Sequence, residues 1–197
     1  FYKQSKDTGD FPMSTLKVDT IQGKTTAGTV AMPAGMVIQT VATTDNTELA
    51  LSTGQTPTNY SQLNTSITPK FSTSKILVRV DFGALQYGGN DSGLGHGKIM
   101  FTQGGGSATD FPSSQVGSND VVSHKAHFQI NLEVQTWDIF QPSMAILHAP
   151  STTDALVYQV YFWSENTSGV CKINKNYRDY TNDASTVATM TLMEISQ

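Results

Sequence analysis

Few side chains in this sequence are of a type that does chemistry. There are four histidines, His96, His124, His127 and His148, and two of them form the spacing His124-x-x-His127. On a helix that spacing puts both rings on one face; on a strand, where side chains alternate, it puts them on opposite faces. A ring of histidines around a threefold axis could gather them for a metal, but nothing beside them selects one. The run GGNDSGLGHG, residues 88–97, has the glycines of a phosphate loop. It lacks the Gly-Lys-Ser/Thr ending and a following helix whose N-terminus would hold the anion. Asn90-Asp91, Asn119-Asp120 and Asn182-Asp183 lack the spacing of a calcium loop. No Gly-x-Ser-x-Gly elbow anchors a serine hydrolase. The carboxylates Asp81, Asp138, Asp154 and Glu165 are scattered, and a glycosidase pair, which needs no local spacing, stays open as an alternative. The expectation is a non-enzymatic protein with no cofactor and no metal.

Aromatic residues at predicted strand ends and loops (Tyr87, Phe111, Trp137, Trp163, Tyr177 and Tyr180) offer a second kind of chemistry, stacking on sugar rings. The competing reading is that they bury area in a core or between subunits, where each is worth a few kcal/mol. Asn59-Tyr-Ser, Asn64-Thr-Ser, Asn90-Asp-Ser and Asn166-Thr-Ser fit the glycosylation sequon, which a chain this rich in Asn, Ser and Thr produces by chance.

The elements that must position these residues are strands. Hydrophobic residues make up 38% of the 197 and charged residues 14%. Ser, Thr, Asn, Gln and Gly fill the gap, which suits a β-rich protein with Thr and Ser on its outward positions. A net charge of −4 gives no electrostatic footprint for nucleic acid. The single Cys171 excludes an intramolecular disulfide and a cysteine-pair zinc site. No apolar run approaches the ~20 residues of a membrane helix, so no membrane insertion is expected; no apolar signal region is visible either.

KILVRVDFG is the clearest strand, with Ile76, Val78, Val80 and Phe82 on one face and Leu77, Arg79 and Asp81 on the other. Further strands are expected at Met36–Val41, around Glu48 to Leu51, at Gln62–Phe71 ending near Pro69, at Lys98–Gln103, from Phe128, at 154–163, over GVCKINKNY and at Ser185–Ser196, with a short apolar stretch at Ser143–His148. Eight to ten such strands with turn signals between them predict an all-β, antiparallel, jelly-roll-like sandwich over residues 36–197. Residues 1–35 show no sustained period, and the predicted arrangement there is an extended N-terminal segment meeting the body at Pro33-Ala34-Gly35. Strands 156–163 and 187–195 carry apolar residues on both faces, which predicts oligomerisation with Val157, Tyr161, Trp163, Met190 and Leu192 at the contact. The loops 87–97 and 104–120 are candidate binding loops, with Tyr87, Asn90, Asp91, His96, Asp110 and Phe111 as the residues offered to a host-surface glycan.

MSTLKVDTIQ, followed by a Thr/Gly stretch and MPAGMVIQTV, then SKILVRVDF, HAPSTTDALVYQVYFWSEN and the closing STVATMTLMEI, resembles in order the small tail-fibre and virion structural proteins of bacteriophages, the marine ones above all. The resemblance runs over residues 13–196; the twelve residues before Met13 and the loop 104–120 depart from it. It implies a non-enzymatic virion part on the phage particle surface, a homotrimer with a jelly-roll head that serves as a fibre, a capsid decoration or a host-attachment protein. Its partners would be its own copies and other proteins of tail or capsid. Leu16, Val18, Ile21, Pro33 and Gly35 would belong to the anchoring segment that docks on them.

Overall fold

Alternation decides the strands. In β5 (Lys75–Phe82) the apolar set Ile76, Val78, Val80 and Phe82 is buried while the residues between face outward. The structure, a computed structural model, describes residues 33–52, 56–88, 94–111, 128–131, 141–164, 170–174 and 186–197. All of these fall in one compact unit, Pro33–Gln197. Leu16, Val18, Ile21, Asn90 and Asp91 lie outside the described residues, as do His124, His127, Trp137, Tyr177 and Tyr180.

The described chain is nearly all β, and its strand pairings are antiparallel, consistent with an all-β sandwich. One sheet orders β1 (Val37–Asp45), β13 (Ala188–Ile195), β5 and β10 (Ser143–His148) side by side, so that the first strand lies against the last. A six-stranded sheet is built on β7 (Leu94–Gln103) and β11 (Leu156–Ser164). It adds β3 (Thr58–Asn59), β4 (Thr65–Ile67), β8 (Thr109–Asp110) and β9 (Phe128–Asn131) at its margins. A three-stranded sheet orders β2 (Leu49–Ser52), β12 (Val170–Ile173) and β6 (Leu85–Gly88).

Three strand readings are revised. The first strand runs on to Asp45 because its Thr-rich outer positions keep pairing with β13 as far as Asp45 opposite Ala188. The segment 62–71 is a strand only over β4. Ahead of it a 3-10 turn, Ser61–Leu63, carries Leu63 into the core, and behind it Pro69 offers no N–H to a ladder. His96 lies within β7, which begins at Leu94, and not in a glycine loop.

The core gathers inward residues of all three sheets. Val78, Val80, Phe82, Met190 and Leu192 meet Ile99, Tyr158, Val160 and Phe162, with Leu85, Cys171 and Ile173 beside them. Phe82 and Phe162 contact edge to face at 5.8 Å between ring centroids. Burying a side chain of this size contributes about 1.5–3 kcal/mol. Where β5 ends, the chain passes so close to the residues entering β13 that only glycine fits. A Cβ on Gly83 would lie 2.7 Å from Thr186 Cβ and from Val187 O, and Gly83 N–H donates to Val187 O at 2.9 Å.

Two polar clasps tie distant segments of the chain together. Glu194 is 0% exposed on the inward side of β13. Its Oε1 accepts from the backbone N–H groups of Lys70 (2.8 Å) and Phe71 (3.3 Å), and its Oε2 from Gln39 Nε2 (2.6 Å). Asn174 sits at the end of β12 with φ 57°, a left-handed conformation that asparagine tolerates better than most residues. Its Nδ2 donates to Asp45 O at 2.8 Å, and its own N–H to Ala84 O at 3.0 Å. Next to it the buried Tyr60 hydroxyl donates to the Asp45 carboxylate. Burial raises Asp45, but hydrogen bonds from Tyr60 and Thr47 outweigh it and hold the carboxyl below its usual range.

Candidate functional site

The period of two in LGHGKIMFTQ places His96, Lys98 and Met100 on one side of β7 and Ile99 and Phe101 on the other. Ile99 pairs with Val160 and Phe101 with Tyr158, on the core side. His96 pairs with Trp163, Lys98 with Tyr161, Met100 with Gln159 and Thr102 with Val157, on the outer side. Register thus assembles one polar and aromatic face from β7 and β11, and β8 adds Asp110 opposite Met100.

Contacts on this face are specific. The His96 and Trp163 rings stack at 5.2 Å with 20° between their planes. Lys98 Nζ lies 5.8 Å from the Trp163 ring centroid and donates to Asp110 Oδ1 at 2.8 Å. The Lys98 side chain is 4% exposed and that of Asp110 38%. Tyr161 and Gln159 are half-buried, with Tyr161 OH 3.4 Å from Gln159 Oε1, and burial raises the Tyr161 phenol. An aromatic ring beside an amide and a half-exposed carboxylate can stack on the apolar face of a sugar and bond its hydroxyl pairs.

The predicted site residues separate. His96 and Asp110 come onto this face, His96 buried at 7% and Asp110 accessible. Phe111 does not reach the surface. It is 1% exposed and packs with Phe101, Tyr158 and His148, because the chain after β8 turns its aromatic ring into the core. The backbone of Tyr87 belongs to β6, opposite Cys171. Val157, Tyr161 and Trp163 share one side of β11, but Trp163 is only 5% exposed, stacked against His96. Met190 and Leu192 do not lie at a contact face: both are 0% exposed, packed in the chain's own core. They share their inward parity with Ala188 and Glu194, and the outward positions of β13 are Thr189, Thr191, Met193 and Ile195. Pro33 and Gly35 form an exposed turn clasped to the end of the chain. Gly35 has φ 87° and donates to Ser196 O at 2.8 Å, and Ser196 Oγ donates to Pro33 O at 2.6 Å.

Sequence reasoning missed the pairing of Lys98 with Asp110 and the buried His148–Tyr158 contact, in which Nδ1 and OH are 2.7 Å apart. Alternation would have put Lys98 beside His96; the partners on β8 and β11 follow only from the register. Among the described residues no cluster of three or more His, Cys, Asp or Glu is placed to hold a metal ion. The described residues thus define an all-β, antiparallel protein in which polar and aromatic side chains meet across β7 and β11. No protein-family model matches this chain, and no curated protein is significantly similar to it.

Proposed function

We propose that this chain is a non-enzymatic structural component of a bacteriophage virion, a trimeric fibre or surface-decorating protein. Its jelly-roll-like head, residues 36–197, is held to tail or capsid through the N-terminal segment 1–35. One observation carries the reading beyond the motif order given above. Buried polar side chains clasp distant segments of the described body, Glu194 on Lys70 and Phe71 and Asn174 on Asp45, as in a part that bears load. The placing of β1 against β13 suits a jelly-roll-like head, and the Pro33–Gly35 turn gives the anchoring segment a fixed point of departure. Light scattering on the full chain tests it: the expected mass is three chains, and a stable monomer at micromolar concentration counts against it. Electron microscopy of purified particles labelled on this chain would locate it on tail or capsid.

A second reading, that the head is also an adhesin for a host-surface glycan, is favoured by the face of Tyr161, Gln159 and Asp110. Glycan-array binding that Tyr161→Ala abolishes would support it. Host adsorption unchanged in that variant would reject it.

A further inference from the structure

Of the four large apolar residues exposed in the described chain, three, Val37, Leu147 and Val187, are 49%, 45% and 47% exposed. Val37 and Leu147 belong to the strands of the four-stranded sheet, and Val187 immediately precedes β13. Across that sheet's outer side Thr40, Met193, Leu77 and Leu147 form one row over all four strands. The next outward row is Ala42, Thr191, Arg79 and Ala145. This side of the sheet is therefore mostly small or apolar, and its charges, Arg79 and Asp81, are paired at 2.8 Å with 56% and 40% of their side chains exposed.

We infer that this outer face is where copies of the chain meet. The inference rests on the oligomeric reading above and deepens it by moving the contact from Met190 and Leu192 to the opposite side of the same strand. The occupant is a second copy because the face is its own electrostatic complement. It carries both halves of a salt bridge, so where three such faces converge on one axis Arg79 of each copy can pair with Asp81 of its neighbour. Size agrees: four strands about 4.8 Å apart and eight residues of about 3.3 Å frame roughly 500 Å² before side-chain relief. That is within reach of the ~800 Å² that each partner contributes to a standard interface.

The test is charge exchange on the full chain, read by light scattering and sedimentation, with circular dichroism to confirm the fold. Arg79→Asp and Asp81→Arg each put like charges on the face, and each is expected to weaken self-association at least tenfold. A mixture of the two variants should regain association in part, because two of the three contacts in a mixed trimer then join opposite charges, an outcome that a change within one subunit cannot produce. Thr191→Lys, at the centre of the face, should also dissociate the assembly. A wild-type chain that stays monomeric overturns the oligomeric reading and this inference together. A wild-type assembly that survives all three substitutions but is broken by Val157→Lys, on the other sheet, overturns this inference alone.

Discussion

Glu194 is a buried carboxylate held by neutral donors, two backbone N–H groups and one amide. Removing an acceptor strands buried donors, at about 1–3 kcal/mol each for those left unsatisfied. Glu194→Ala should therefore lower the urea midpoint clearly and Glu194→Gln, which keeps one acceptor oxygen, less; equal midpoints for both variants and wild type would refute the clasp. His148 is the residue that should make stability depend on pH. Burial against Phe101, Phe111 and Tyr158 pushes its imidazole from 6.5 down to about 4. A lowered folded value means that the unfolded chain takes up the proton first. The contribution is thus complete above about pH 6.5 and is lost as pH falls from 6.5 towards 4. Denaturant titrations across that range should show the decline, and His148→Phe should flatten it. Asp45, held below 3.8, acts only at lower pH, where protonating it removes stability in the same direction.

At the scale of the element, the close approach at Gly83 and the inward parity of β13 are the points to probe. Gly83→Ala forces its new methyl against Val187 O and should cost stability although the residue is small; an unchanged melting temperature would show that the strand ends can separate. Leu192→Ala should cost about 2–5 kcal/mol, the range for a buried leucine, whereas a surface position would lose almost nothing. The sheet strands were legible from the sequence wherever one face is apolar and the other polar, as in KILVRVDF. The strand in STVATMTLMEIS was legible as well, but not which side of it turns inward, because both of its faces are apolar and a glutamate occupies the inward parity. Glu194 is tolerated there only because Gln39, Lys70 and Phe71 come together around it, and those contacts join residues more than a hundred positions apart. The glycines around His96 disguise its place in β7 beside Lys98, and its stacking on Trp163 depends on the β7–β11 register, which no local pattern carries.

For the whole molecule, residues 33–197 form one compact unit whose core, among the described residues, is drawn from Tyr60 to Leu192. A chain of residues 33–197 should therefore keep the far-ultraviolet spectrum and the cooperative melting of the full-length protein, to within a few degrees. Loss of cooperativity on removing residues 1–32 would show that the leader completes the fold.

The turn at Pro33–Gly35 fixes how such a body would respond to tension. Residues 33 and 197 leave the sheet at the same end, joined through Ser196. Drawing those two points apart would peel β1 from β13 one rung at a time, like a zip. A tug on residue 33 resisted at the far end of the sheet would instead load β1 lengthwise, so that its rungs against β13 share the strain and must yield together. A chain tethered by its leader and gripped at its distal tip would be pulled in its stronger direction.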